Sequence, residues 1–404
     1  MPSDDVKRAY VCGTFDTKNP ELRFLATCLH EAGVATCLVD LATLPHDFQV
    51  DVSARVVASH HPLGASAVFG GDDRGRAIAD MAEAFARFLA TRSDIAGIIG
   101  AGGSGGTALL APGMRGLPIG LPKLIVSTVA SGNIAAYVGA SDITMMPSIT
   151  DVQGINRISR RVLGNAAHAL AGMVLNADGT TLPDDRPAIG LTMFGVTTQC
   201  VQQVCASLEE TLDCIVFHAV GTGGAAMEKL IDSGLLTGAI DVTTTEICDM
   251  MMGGVFPAYE TRFDAIIRTG IPYVVSCGAL DMVNFADMGS VPERYKQRTL
   301  YAHNPQITLM RTTPEENVRM ARWIADKLNR MAGRVRLLLP EHGVSALDAP
   351  GQPFHDPVAD AALFDTLEAC VVQTPDRRLL RLPYGVNDSE FSAALVAAYH
   401  EIAE

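Results

Sequence analysis

The sequence predicts an α/β protein of two related halves, each a mainly parallel sheet flanked by helices. Three observations carry this prediction. Short apolar runs of strand length recur along the chain, many of them separated by stretches of helical length and period. Several of these runs pass directly into glycine- or hydroxyl-rich segments, as a strand does when it turns into the next helix of a βα unit. The plan then restarts after an Asp/Gly/Pro-rich segment at 176–187 that has the profile of a linker. A chain of 404 residues exceeds what one hydrophobic core usually serves, so the halves are assigned as domains 1–180 and 186–404.

In the first half, an apolar run at 9–12 ends in Gly13-Thr14-Phe15-Asp16-Thr17-Lys18, and Pro20-Glu21 opens a helix to about residue 30. Leu22, Leu25 and Leu29 share one face of that helix, Gly33 ends it, and a strand follows at 35–39. A polar insertion over 41–71 leads to a helix at 75–92 and a strand at 95–99, which runs into Gly100-Ala101-Gly102-Gly103-Ser104-Gly105-Gly106-Thr107. The strand at 123–126 ends in Ser127-Thr128-Val129-Ala130-Ser131-Gly132-Asn133, and a long helix covers 157–175.

The second half opens with a strand at 188–192, a loop at 194–198, a helix at 199–210 and a strand at 214–220 that meets Gly221-Thr222-Gly223-Gly224-Ala225-Ala226. The strand at 239–243 leads to Thr244-Thr245-Glu246. Strands at 273–277, 307–311 and 335–339 and helices at 314–331, from Pro357 and from Ser389 complete the chain. The two glycine-rich segments each precede a short strand ending in Ser or Thr, which suggests corresponding parts of an internal duplication. Two unrelated Gly-rich βα turns are the plainer alternative.

Composition narrows the function. Hydrophobic residues make up 48% and charged residues 19%, an ordinary globular balance, and 37 glycines suit tight βα turns. A formal net charge of −14 argues against binding a nucleic-acid backbone, which needs dense Lys and Arg. It leaves nucleotides open, because backbone N–H groups, one lysine or Mg2+ can serve a local phosphate. Nine cysteines without a CxxC pair point to a reducing compartment and no zinc module. The polar start MPSDDVKRAY does not resemble a signal peptide, and no apolar run reaches membrane-spanning length, so a cytoplasmic location away from membranes is expected.

Gly100-x-Gly102-x-x-Gly105 matches the dinucleotide fingerprint and Gly221-x-Gly223-x-x-Ala226 its variant, each after a strand and before helical sequence. In that context glycines admit phosphate or carboxylate oxygens to backbone N–H groups at a helix N-terminus. A tight βα turn explains the second loop equally well. Neither continues as a dinucleotide site, since Ser127-Thr128 stands where an acid for the ribose diol is expected, and neither has the Lys-Ser/Thr of a P-loop. In the Gly13 to Lys18 segment, Lys18 can neutralise a phosphate, Asp16 can hold Mg2+ through water, and Thr14 and Thr17 can bind oxygens. A hydrophilic turn capped by Asp16 is the alternative there. Parallel strands would bring Ser127, Thr128 and Ser131 beside both segments.

In the second half, His218, Glu246, Asp249 and Asp281 near strand ends could form a general base or metal site, although a structural role is the commoner one for a lone His. Met250-Met251-Met252 is read as core or interface. The polar loop 341–357 is either a further ligand edge or a surface loop that caps the following helix through Asp356.

The segments GTFDTK, GAGGSGGT, PKLIVSTVASGNIAAYVGASDITMMPSITDVQGIN and GVSALDAPGQPFHDPVADAALF together resemble the ATP-binding domain family of the tomato mosaic virus resistance protein and its bacterial relatives, over nearly the whole chain. The resemblance implies two Rossmann-like subdomains, a homodimer, and ATP with Mg2+ bound chiefly by the first subdomain. On matching positions it implies ATP contacts from Gly13, Thr14, Asp16, Thr17, Lys18, Gly102, Gly103, Ser104, Gly105, Gly106, Thr107, Ser127, Thr128 and Ser131. In the plant protein a barrel domain follows, so a separate barrel-fold partner protein is expected here. The antiviral role is not carried over.

The leading expectation is therefore an ATP- and Mg2+-binding protein that acts on a small metabolite with such a partner. A non-catalytic nucleotide sensor is the alternative. A NAD-dependent oxidoreductase comes third, disfavoured by the missing ribose carboxylate.

Overall fold

The computed structural model describes residues 7–44, 46, 48–70, 73–177 and 186–403. The chain divides into two compact units, Met1–Pro183 and Asp184–Glu404. Most of the expected linker, together with parts of the N-terminal segment and of the 41–71 insertion, lies outside the described residues.

The first unit contains, in chain order, β1 (Arg8–Gly13), α1 (Phe15–Glu31), β2 (Thr36–Asp40), α2 (Ala54–Ala58), α3 (Ala65–Phe69) and α4 (Arg74–Ala90). It continues with β3 (Ile95–Gly102), α5 (Ser104–Gly116), β4 (Lys123–Ser127), α6 (Ala135–Val138), β5 (Thr144–Pro147) and α7 (Arg157–Leu175). Its sheet is wholly parallel in the order β2-β1-β3-β4-β5. Successive residues of β1 serve opposite faces. Ala9 and Val11 join Leu22, Leu25 and Leu29 of α1 and Leu163, Ala166 and Leu170 of α7 in one core. Tyr10 and Cys12 join Phe85 and Phe88 of α4 and Leu109, Leu110 and Met114 of α5 in the other. Burial on both faces explains why these strands read as continuous apolar runs.

The second unit contains β6 (Ala188–Met193), α8 (Thr198–Leu208), β7 (Asp213–His218), α9 (Thr222–Asp232), β8 (Gly238–Thr243), α10 (Glu246–Met252), α11 (Asp264–Thr269) and β9 (Tyr273–Gly278). After it come β10 (Met282–Phe285), β11 (Leu300–Asn304), β12 (Ile307–Arg311), α12 (Pro314–Asn329), β13 (Val335–Pro340), α13 (Pro357–Cys370), β14 (Arg377–Leu382) and α14 (Ser389–Ala403). The main sheet is parallel in the order β7-β6-β8-β9-β13-β14, and an antiparallel sheet β10-β12-β11 is inserted after its fourth strand. Cores lie on both faces, one with α9 to α13 and one with α8 and α14.

Counted within its own unit, each sheet follows the order second, first, third, fourth, fifth strand. The expected repeat of plan is present, but its two glycine segments do not correspond. Gly100–Thr107 follows the third strand of its unit and Gly221–Ala226 follows the second. The true counterpart of the first loop is Thr244-Thr245-Glu246, after β8.

Several elements were not expected from the sequence. β5 and β14 are edge strands, partly exposed, and lack the two-sided apolar signature. β3 runs on through Gly100 and Gly102, which pair with β4. The 41–71 insertion carries α2 and α3. All nine cysteines are free thiols, and among the described residues no helix is long and apolar enough to cross a membrane.

Candidate functional site

The sheet order places a switch point between β1 and β3, where the following chain leaves in opposite directions and opens a crevice at the strands' carboxyl ends. A cleft of about 720 Å3 occupies this position. Each side of it is built by a local feature of the sequence.

At the end of β1, a Cβ on Gly13 would come within 2.9 Å of Leu22 Cδ1, so glycine lets α1 fold back over the strand end. The Phe15 N–H donates to Asp40 Oδ1 at 3.1 Å, and the Thr14 carbonyl accepts the Thr17 and Lys18 amides. Lys18 leaves helical geometry (φ −125°, ψ 18°) two residues before Pro20, which has no N–H to continue the ladder. Residues 14–18 therefore form a separate turn at the sheet edge, and Thr14, Asp16, Thr17 and Lys18 line the cleft.

The β3–α5 junction supplies the facing side. A Cβ on Gly100 would meet Leu110 Cδ1 at 2.4 Å and the Cys12 carbonyl oxygen at 2.8 Å, so this first fingerprint glycine serves helix-on-sheet packing. Gly103 is the N-cap of α5 and no side chain caps the helix. Among the described residues, the amides of its first turn, Ser104 to Gly106, thus have neither intrahelical nor side-chain acceptors, and Gly102 to Gly106 line the cleft.

Thr107 and Ser127 have a different place from the one expected. Both are fully buried, with Oγ atoms 2.6 Å apart. Thr107 Oγ1 donates to the Gly103 carbonyl at 2.8 Å, so Ser127 donates to Thr107 while accepting the Val129 amide. These hydroxyls tie α5 to β4 rather than face the cleft. Thr128 is exposed, and its N–H holds the Gly102 carbonyl, while Ser131 is exposed outside the cleft lining.

Sequence reasoning missed the rest of the lining. Leu44, Val68, Ala77, Ile78 and Leu109 make it apolar, while Thr43, Asp73, Arg74 and Asp151 add polar groups. It also missed Asp40, whose only signal is an acid closing an apolar strand. Asp40 Oδ2 lies 2.8 Å from His46 Nε2, and His46 Nδ1 accepts the Phe48 amide, so the imidazole proton sits on Nε2.

Charge in the cleft is incompletely balanced. Asp16 Oδ1 is buried without a hydrogen-bond partner. Burial, and next the Asp40 charge, push the Asp16 carboxyl above its ordinary range, against the opposing pull of His46 and Thr17. Lys18 and Arg74 have no ion-pair partner among the described residues. Among those residues there is no group of three or more His, Cys, Asp or Glu that could hold a metal ion.

The glycine loop of the second unit has a different fate. Glu246 Oε1 accepts the Gly221 amide at 2.7 Å and the Gly224 amide at 3.1 Å. Glu246 in turn pairs with buried Arg262, which also holds Glu228 at 3.0 Å and Asp241 at 2.6 Å. A Cβ on Gly224 would lie 2.2 Å from Glu246 Oε2. These amides, the ones an external anion would use, already carry an internal carboxylate.

Of the remaining second-unit candidates, Asp249 is held internally, His218 stands at the surface, and Asp281 keeps one buried oxygen, Oδ1, without a hydrogen-bond partner. Asp249 accepts the Phe256 and Asn284 amides, and burial raises its carboxyl to about 7. His218 is exposed and stacks beside Phe194. In the 341–357 loop, Arg311 holds Asp348 at 3.0 Å and Asp360 at 2.6 Å, and Ser345 donates to Asp281. Asp356 caps α13, which is the plainer of the two sequence readings.

The chain matches the sequence profiles described as the Uncharacterised protein family (UPF0261) N-terminal domain, over residues 7–179, and C-terminal domain, over residues 186–403. A UPF0261 protein of Rhizobium meliloti is 57% identical over 398 residues, covering 98% of this chain and 100% of that protein. One from Clostridium tetani is 42% identical over 394 residues, covering 96% and 97%. The ToMV resistance protein Tm-1(GCR237) of Solanum lycopersicum is 43% identical over 422 residues; the match takes in 98% of this chain and 56% of the tomato protein.

Proposed function

The chain belongs to the UPF0261 family, and we propose that it is a nucleotide-binding protein whose N-terminal cleft takes ATP with Mg2+. The observation that carries this reading is the uncapped, glycine-rich first turn of α5, opening onto a cleft with two cations that have no ion-pair partner among the described residues. Three successive free amides at a helix N-terminus suit phosphate oxygens. Lys18 and Arg74 add charge-assisted contacts. The apolar wall of Leu44, Val68 and Ile78 suits the face of a base. When bound, Mg2+ would neutralise phosphate charge beside the Asp16 carboxylate, whose unpartnered oxygen fits a cation's water shell. The NAD reading weakens, because Gly100 is used in packing and the second glycine loop is filled by Glu246. The same proposal carries a homodimer in the cytoplasm.

Titration calorimetry with ATP, GTP and NAD, with and without Mg2+, tests the proposal. ATP should bind once per chain, with Mg2+ dependence and without comparable NAD binding. Lys18→Ala should weaken ATP by roughly 1.5–3 kcal/mol, the contribution of one charge-assisted phosphate contact. Tight NAD binding with none for ATP would overturn the reading. Phosphate release in the same samples separates an enzyme from a sensor.

A further inference from the structure

We infer that Asp73 accepts the ribose hydroxyls of the bound nucleotide and makes the cleft selective for ribonucleotides over deoxyribonucleotides. This inference rests on the nucleotide reading above. Asp73 is the N-cap of α4, where its Oδ1 accepts the Gly75 amide at 2.8 Å and the Arg76 amide at 3.2 Å. Capping needs one oxygen, and Ser, Thr or Asn would supply it as well. Among the described residues, Asp73 Oδ2 has no hydrogen-bond or ion-pair partner, and the residue lines the cleft.

Its position suits a sugar. Ile78 of α4 meets the α5 turn, since its Cδ1 lies 3.6 Å from where a Cβ on Gly105 would stand. Asp73 is five residues earlier, about 7.5 Å along the helix axis at 1.5 Å per residue. That is the reach from a phosphate to the hydroxyls of its own nucleoside, short of the far edge of the base. Leu44 and Val68 continue the wall as apolar surface. A carboxylate beside a phosphate site is repulsive unless donors use it, and a vicinal diol brings two. In dinucleotide folds that acid comes from a strand end; here β4 ends in Ser127, and the α4 cap supplies the acid instead.

The test is calorimetry of the full chain, as wild type, Asp73→Asn and Asp73→Ser, with ATP, 2′-deoxy-ATP and 3′-deoxy-ATP, together with the Tm of each protein. Asn and Ser preserve the cap, so Tm should hold. Wild type should bind ATP about tenfold or more tighter than at least one deoxy analogue. In both variants ATP should fall to near parity with that analogue, whose own affinity should hold or improve because a negative charge beside the phosphates is gone. Equal weakening of ATP and its analogues in the variants would overturn the inference, as would wild-type ATP binding without discrimination. If wild type binds no nucleotide, the nucleotide reading itself falls and takes this inference with it.

Discussion

Glu246 places a carboxylate oxygen 2.7 Å from the Gly221 amide, so the second unit fills its own glycine loop from within. The same oxygen takes Gly224, and Arg262 closes the network against Asp241 and Glu228. Removing one partner from a buried ion network leaves an uncompensated charge, which costs about 3–5 kcal/mol. Glu246→Ala should therefore lower the Tm sharply, while any folded fraction keeps its ATP affinity. Loss of ATP binding in folded Glu246→Ala protein would return the second loop to the site.

The glycines of the first loop divide by role. Gly100→Ala forces a methyl against Leu110 and the Cys12 carbonyl, an overpacking that costs about 1–3 kcal/mol. Gly105→Ala meets only Ile78, at ordinary van der Waals distance, and should fold at least as stably as wild type. Its methyl should instead reduce ATP affinity. Thermal melts paired with calorimetry separate the two, and equal destabilisation by both would refute the division.

Asp16 should couple the nucleotide to Mg2+. In Asp16→Asn the affinity gained on adding Mg2+ should fall from about tenfold or more to near parity. Binding without Mg2+ should hold or improve, because a negative charge beside the phosphates is gone. Full retention of the Mg2+ effect would move the cation elsewhere.

Asp348 should make the second unit sensitive to alkali. Burial, and next the charges of Asp281 and Asp360, raise its carboxyl to about 9, while Arg311 opposes them. The folded chain thus keeps a proton that the unfolded chain loses near pH 4. The stability tied to that proton is complete below pH 4 and is lost progressively as pH rises to about 9. Tm measured from pH 5 to 9 should fall in wild type and fall less in Asp348→Asn. Identical slopes would contradict the assignment.

Much of the plan was legible because β1, β3, β4, β6, β8 and β9 are buried on both faces and so read as unbroken apolar runs. The Gly13–Lys18 turn and the Gly102–Gly106 loop were legible for a related reason: chemistry concentrates where those runs stop. The apolar wall was not. Leu44 and Val68 fall in a stretch that reads as a polar insertion and Ile78 reads as an ordinary core residue of a helix, and only the fold brings the three to one cleft. Thr107 and Ser127 misled in the opposite direction. A hydroxyl beside a glycine loop suggests a ligand contact, yet these two find each other. Comparing the glycine segments by composition also hid that they follow different strands of the repeated plan.

The bond between Thr107 and Ser127 has a thermodynamic consequence. It anchors the α5 turn to the carboxyl end of β4 before any ligand arrives, so the amides there lose little conformational freedom on binding. Association at that end should therefore carry a small entropic penalty. Any large heat-capacity change on binding would have to arise at the apolar wall.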